Sequence, residues 1–256
     1  MSGKSALNFA EFALPELTHR SPAQVILEQR LTAYTWRRPP LLLAAALRRA
    51  SSLRYTVVKR ALDIVLSSLL ILLLLPLGLL VALLVKLTSA GPIFYLQERS
   101  GRFGVPFRII KFRSMYTTPR KAAVIQFTYG RRDNHQGFTV IKRAADPRIT
   151  PFGRLIRRLS IDELPQLFNV LVGDMSLVGP RPIVDAERPI YGRNLPYYDL
   201  FAPGITGLWQ VSGRSDVGYE QRVLMDREYA SRWSCLLDFK ILARTIPAVF
   251  TMRGAY

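Results

Sequence analysis

The sequence predicts an α+β chain, mainly helical, in which a membrane-embedded helix leads into a small β-hairpin and a series of amphipathic helices. Residues 64–85 contain no charged side chain and are bounded by Asp63 and Lys86. β-Forming runs at 93–97 and 107–112 flank a linker that holds Gly101, Gly104 and Pro106. Further on, Leu155, Ile156 and Leu159 recur at helical spacing, and a second apolar helix is expected from about Glu163 to Leu171.

The chain carries 36 Lys and Arg against 18 Asp and Glu, a formal net charge of +18. That excess requires a partner rich in negative charge: nucleic acid, anionic lipid or a phosphorylated substrate. A single cysteine, Cys235, excludes an internal disulfide and a Cys-rich zinc site. His19 and His135 offer little for metal binding or histidine-centred catalysis. The first 40 residues hold acids, Pro15, Pro22 and no apolar run with a cleavage signal, so a secretory signal is not expected there. Residues 1–35 read as a partly ordered extension. Trp36, Arg37 and Arg38 then lead into the apolar run 41–47, closed by Arg48 and Arg49. Aromatic and basic residues favour the headgroup boundary and the run is too short to span, so it reads as an interfacial helix.

At ~1.5 Å per residue, a straight helix over 64–85 reaches across a hydrocarbon layer roughly 30 Å thick, which is the reading as a single spanning helix. Pro76, with Gly78 just beyond, removes a backbone hydrogen bond and crowds the preceding turn. A break there gives halves of roughly 15 to 18 Å, able to dip into one leaflet and return. Arg48, Arg49, Arg54, Lys59 and Arg60 precede the apolar run, and Lys86, Arg99 and Arg102 follow it. A spanning helix usually shows a one-sided excess, so this pattern favours a hairpin. Lys59 and Asp63 have the i,i+4 spacing of a pair at the headgroup layer.

Residues 117–145 are polar and basic and read as a loop or short helix. Residues 223–250 mix aromatic, aliphatic and basic side chains in amphipathic order. Trp233 and Arg232 can sit at a membrane surface, or the stretch can be a helix packed on the core.

The segment Arg157-Arg158-Leu159-Ser160-Ile161-Asp162-Glu163-Leu164-Pro165-Gln166 is the most informative chemically. Ser160 and Glu163 have capping-box spacing, which places Asp162 and Glu163 in the first turn of a helix as ionised carboxylates. Pro165 opposes that placement, because it falls at the fifth helical position without an N–H. The helix then starts nearer Leu164, with the acid pair in the turn before it. Either way the segment can hold a carboxylate nucleophile, a metal-binding carboxylate and, through Arg157, a phosphate clamp. Two acids that merely cap a surface helix have the same spacing. Lys111 and Arg113 alternate along the second predicted strand, suited to phosphate oxygens or to a solvated basic edge. Pro180 and Pro182 bracket Arg181 and restrict it, as a diphosphate or flat-base clamp or an ordinary surface turn requires. Gln210 and Arg214 close a later glycine-marked segment.

The blocks KFRSM, DPRIT, SIDELPQLFNVLVGDMSLVGPRP and PGITGLWQVSGR follow in that order behind the KRALD-initiated apolar segment. With them the chain, over 55–256, resembles the bacterial sugar transferase family of monotopic phosphoglycosyl transferases. GLWQVSGR and the terminal GAY are similar to the undecaprenyl-phosphate galactose phosphotransferases and exopolysaccharide-initiating enzymes of that family, more than to its glucose-type branch. The resemblance implies a re-entrant membrane helix hairpin, broken at Pro76, over 51–90. It implies a cytosolic catalytic domain with interfacial C-terminal helices over 91–256, and leaves 1–50 as an N-terminal extension with an interfacial segment. The site would lie at the cytoplasmic face of a bacterial inner membrane, in a monotopic enzyme. Asp162 would attack the β-phosphate of a UDP-sugar, expel UMP and pass the sugar phosphate to undecaprenyl phosphate, initiating exopolysaccharide, capsule or O-antigen synthesis. Glu163 would hold Mg²⁺, while Lys111, Arg157 and Arg181 stabilise oxygens or position the nucleotide. Arg113, Pro180, Pro182, Gln210 and Arg214 are the implied substrate-binding residues. Partners are membrane lipid and the two substrates, without nucleic acid, and a homodimer stays open. One departure concerns the helix break: Leu75 precedes Pro76 where the family often has a serine, and Ser67 and Ser68 lie too far upstream to replace it.

The charge alone is equally compatible with a single-pass protein whose basic domain binds nucleic acid or anionic lipid. A non-catalytic subunit of a polysaccharide assembly complex would be expected to have lost part of the acid pair.

Overall fold

The computed structural model describes residues 40–117, 146, 148–213 and 217–250. Helix α1, Leu41–Ala50, buries Leu43, Ala46 and Ala50 in the core and leaves Leu41 exposed. A π-helical turn, Arg54–Lys59, runs directly into helix α2, Arg60–Thr88. Pro76 lies inside α2 and does not end it. Together Arg54–Thr88 forms one helix long and apolar enough to cross a membrane.

The two ends of α2 rest on the same folded body. Near its start, Arg60 donates to the Val170 and Leu171 carbonyls, and Asp63 accepts from Ser176 Oγ and Leu177 N at 3.0 Å each. Near its end, Val81 and Val85 pack with Phe112 and Ile156. Between them, Leu72, Leu73 and Leu79 remain exposed. Arg113 joins the end of α2 to the hairpin. Its guanidinium is buried and donates to the carbonyls of Val85, Ser89 and Pro92. The expected phosphate contact from Arg113 is therefore corrected: the side chain satisfies carbonyls at a helix end, as arginine commonly does.

The expected β-hairpin is present as β1, Phe94–Ser100, and β2, Pro106–Phe112, antiparallel with Tyr95 opposite Lys111. Ile109 and Phe112 of β2 are buried in core clusters, whereas Lys111 keeps partial exposure. Helix α3, Pro151–Arg158, is capped by Thr150, whose Oγ1 accepts from Gly153 N at 2.7 Å. Helix α4 runs over Gln166–Val172 and ends at Gly173, whose φ of 104° is the left-handed stop that glycine adopts at low cost. Short strands β3, Ser176–Val178, and β4, Gly204–Thr206, pair in parallel. The short helices α5, Arg188–Tyr191, and α6, Leu195–Asp199, fall between them, and α7, Leu208–Val211, follows.

Helices α8, Tyr219–Arg232, and α9, Cys235–Phe250, divide the C-terminal stretch. Trp233, between them, does not sit at a surface. It is 4% exposed, lies edge-on to Tyr55 with ring centroids 4.9 Å apart and donates Nε1 to Asp238 Oδ2 at 3.1 Å. The same carboxylate pairs with buried Lys59 at 2.7 Å, so Lys59 finds Asp238 in α9 as its close partner rather than Asp63 one turn away. Arg232 remains exposed and pairs with Glu228. Leu236, Phe239 and Ile246 give α9 an exposed apolar face. Trp36, Arg37, Arg38, the extension 1–35, the stretch 118–145 and Arg214 lie outside the described residues.

Candidate active site

The acid pair lies in a 3-10 turn, Ile161–Glu163, ahead of α4. Ser160 adopts a left-handed conformation, φ 57° and ψ 18°, and makes no side-chain cap bond, so the capping box is not formed. Pro165 stands as N-cap of α4, where its missing N–H is harmless, and this fixes the later of the two helix starts. A serine in that conformation costs roughly 1 kcal/mol or more, a strain that recurs where a turn must aim reactive groups.

Asp162 is 8% exposed. Burial, then the adjacent Glu163 charge, pushes its carboxyl up to about 6, while Lys111 and Arg157 oppose the rise. Glu163 moves the other way. Burial pushes it up, but the Lys111 ammonium, 2.7 Å from Oε1, outweighs that with help from Arg181 and Gln166 and holds it below its usual value. Neighbouring acids are thus driven apart, one an ionised ion-pair member and one a carboxylate whose charge is poorly compensated.

The fold supplies these cations from separate elements. Lys111 comes from β2, held on α4 by Asn169, which accepts from Ile110 N at 3.0 Å and donates to Arg108 O at 2.8 Å. Arg157 comes from the last turn of α3, where Nε donates to Ser114 Oγ at 2.7 Å. Gly153 permits that approach, since a Cβ there would stand 2.0 Å from Ser114 O. Asp146 and Arg148 of DPRIT pair with each other, and Tyr116 N donates to Arg148 O, tying the segment behind β2.

Arg181 acts on Glu163 through its charge. Gly179 and Gly204 meet backbone to backbone, where a Cβ on Gly179 would lie 2.2 Å from Ala202 O, and this locks the turn that follows β3. Pro180 and Pro182 are buried, while Arg181 is exposed with its guanidinium 5.4 Å from the Trp209 ring. Gln210 lies in α7 next to Trp209, with Oε1 buried and unbonded.

Lys111 therefore contacts Glu163 directly, and the charges of Arg157 and Arg181 act on the acid pair, with Pro180 and Pro182 flanking Arg181. Asn169, Gln166, Ser114 and Trp209 escaped the sequence reading as site residues. Only their place inside quoted blocks marked them: Ser114, Asn169 and Trp209 act on residues far off in the chain, and Gln166 on Glu163 three residues before it. Among the described residues no group of three or more His, Cys, Asp or Glu could enclose a metal. Mg²⁺ does not need one. It is held by one or two carboxylates plus substrate oxygens and water, and Glu163 beside Asp162 fits that donor set.

Residues 54–252 match the family model described as bacterial sugar transferase. The chain is 43% identical over 198 residues to the exopolysaccharide production protein ExoY of Sinorhizobium fredii, covering 77% of this chain and 88% of that protein. It is 45% identical over 202 residues to the undecaprenyl-phosphate galactose phosphotransferase of Salmonella typhimurium, covering 77% of this chain and 41% of that protein. It is 42% identical over 207 residues to a UDP-glucose:undecaprenyl-phosphate glucose-1-phosphate transferase of Caulobacter vibrioides, covering 77% and 72%. A match that takes in the long apolar helix, the acid turn and the Pro-Arg-Pro turn alike places this chain in the bacterial sugar transferase family.

Proposed function

We propose that this chain is a phosphoglycosyl transferase that moves a sugar 1-phosphate from a UDP-sugar to undecaprenyl phosphate and releases UMP. The observation that carries the reading is Asp162, a buried carboxylate flanked by Lys111 and Arg157 and standing beside an ion-paired Glu163. Asp162 attacks the β-phosphorus, forming an Asp162–phosphosugar bond as the bond to UMP breaks. An oxygen of undecaprenyl phosphate then takes the group and frees the carboxylate. Lys111 and Arg157 offset charge on the phosphoryl oxygens, and Arg181 holds the leaving phosphate. Glu163 would hold a Mg²⁺, which would supply further charge neutralisation to the diphosphate.

The apolar helix supports a membrane setting for this chemistry. Both ends of α2 bind one body and one face of its middle, with Leu72, Leu73 and Leu79, stays exposed while Ile71 and Leu74 pack against the core, which supports a monotopic insertion with the site at the cytoplasmic face of the inner membrane. Because the helix is continuous through Pro76, a re-entrant insertion requires a bend within one helix rather than a gap between two. Galactose phosphate is the favoured cargo, and initiation of exopolysaccharide, capsule or O-antigen synthesis the favoured setting. Purified protein, Mg²⁺, undecaprenyl phosphate and a panel of UDP-sugars should yield UMP and a lipid diphosphate sugar, most efficiently with UDP-galactose. No UMP from any UDP-sugar would overturn the reading. For topology, tags at the two termini should be equally accessible to protease in sealed inner-membrane vesicles; opposite accessibility would refute the monotopic insertion.

A further inference from the structure

Past Pro76, helix α2 presents two faces with different surroundings. Leu79, Leu80, Leu83 and Leu87 are exposed, whereas Val81 and Val85, one helical turn apart, are 3% and 1% exposed. The two valines cluster with Phe112 and Ile156, and Ile161 and Leu164 pack against that cluster. Each of these four partners adjoins a charged group of the site in the chain. Phe112 follows Lys111, Ile156 precedes Arg157, and Ile161 and Leu164 bracket Asp162 and Glu163. Two side chains of the apolar helix thus join the three separate elements, β2, α3 and the acid turn, that carry the nucleophile and its cations.

Hydrogen bonds fix the same stretch. Arg113, two residues beyond Lys111, donates to the Val85 carbonyl at 3.2 Å and to the Ser89 carbonyl at 2.6 Å, so Val85 is held through its side chain and its backbone together. The first half of α2 grips the far end of α4, where Arg60 donates to the Val170 and Leu171 carbonyls at 2.5 and 2.7 Å. The acid turn enters α4 at its opposite end. Helix α4 and its acid turn therefore bridge the two halves of α2, and Pro76 lies between those halves. Proline lacks the N–H of a helix interior and marks where a helix bends most readily. Close-packed apolar contacts pass a displacement on rather than absorb it.

Resting on the proposed transfer at a membrane, we infer that Val81 and Val85 are positioning residues through which the bilayer sets the spacing of Lys111, Arg157 and the acid pair, so that bilayer thickness tunes the first transfer step. An apolar helix answers a bilayer of unsuitable thickness by tilting or kinking. In α2 that motion alters the bend at Pro76 and moves a segment whose outer leucines face lipid and whose inner valines touch the site's framework. The 2.7 Å contact of Lys111 with Glu163 Oε1 joins β2 to the acid turn and registers the shift directly. A misplacement of about 1 Å costs on the order of 100-fold in rate, so a fraction of that distance suffices.

The test reconstitutes the full-length protein in vesicles of phosphatidylcholine with a fixed fraction of phosphatidylglycerol, the monounsaturated acyl chains lengthened stepwise. Two quantities are read: single-turnover UMP release from UDP-galactose and Mg²⁺ without acceptor lipid, and hydrogen exchange of the backbone amides at 161–164. Wild type should release UMP fastest at one thickness and about 10-fold more slowly in the thinnest and thickest vesicles, with little change in KM for UDP-galactose. Exchange at 161–164 should be slowest at that same thickness. Val81→Ala combined with Val85→Ala should lower the maximal rate about 10-fold and flatten the profile. If that pair does not fold, Val85→Ile, which adds one methyl group to the contact, should move the optimum to another thickness. A flat wild-type profile, or one that the folded valine variants reproduce unchanged, would overturn the coupling. Wild type that releases no UMP in any vesicle refutes the transfer reading, and the exchange measurement then decides the coupling by itself: protection that follows thickness supports it, and protection that stays constant overturns it.

Discussion

Asp162→Asn should abolish transfer while making the protein more stable at neutral pH. In the folded chain the Asp162 carboxyl is raised from its ordinary 3.8 to about 6, chiefly by burial and next by the Glu163 charge. Ionising it in place therefore costs about 3 kcal/mol at pH 7.5 relative to the unfolded chain. The sign follows from the direction of the shift. Below pH 3.8 the group is protonated in both states and contributes nothing. The destabilisation grows as pH rises from about 4 to about 6 and is constant above, so at pH 4.5 it shrinks to about 1 kcal/mol. Asparagine, nearly isosteric and uncharged, is free of it. Thermal unfolding of detergent-solubilised wild type and variant, without substrate or Mg²⁺, should differ at pH 7.5 by roughly 6–12 °C in favour of the variant. The gap should narrow toward pH 4.5. An asparagine variant no more stable than wild type at pH 7.5, or a gap that does not narrow in acid, would refute the argument that reactivity is stored as a buried, poorly compensated charge.

Single-turnover UMP release should fall as pH drops through about 6, because only the ionised Asp162 attacks; a flat profile between pH 5 and 7.5 would contradict that assignment. Lys111→Met removes the 2.7 Å partner of Glu163 and a charge near Asp162, and should lower kcat on the order of 100-fold while the hairpin persists by circular dichroism. Asp238→Ala leaves Lys59 buried without its 2.7 Å partner and also orphans Trp233 Nε1, so stability should fall by about 3–5 kcal/mol, read as lost yield and a lowered Tm. Gly179→Ala sets a Cβ 2.2 Å from Ala202 O, a backbone atom, so the Pro-Arg-Pro turn must shift and turnover should be lost even where the helical signal survives.

Local chemistry was legible in the sequence and long-range partnership was not. The hairpin could be read because β-formers and a Gly/Pro linker act within twenty or so residues. The apolar helix was equally plain, since nothing but lipid or a core accepts such a run. Pro165 correctly opposed an early helix start, and the left-handed Ser160 explains why the capping-box spacing misled. By contrast, Arg113 looks like its neighbour Lys111 in the sequence, yet β2 ends at Phe112, so Arg113 lies beyond the strand and turns to helix-end carbonyls while Lys111 stays on the strand and meets Glu163. Trp233 matched a membrane-surface pattern because amphipathic helices read alike whether they face lipid or a core, and only Asp238 and Tyr55 decide the matter. Trp209 and Arg222 meet only after α7 and α8 fold together, so no spacing announced them.

The most direct measurement is the intact mass of the protein after incubation with UDP-galactose and Mg²⁺ alone, quenched before any lipid phosphate is added. The account predicts a mass increase of one hexose phosphate, mapped to Asp162, which disappears when undecaprenyl phosphate is supplied and never forms in Asp162→Asn. An unmodified wild-type mass, in a preparation that completes transfer once the lipid is present, would contradict it.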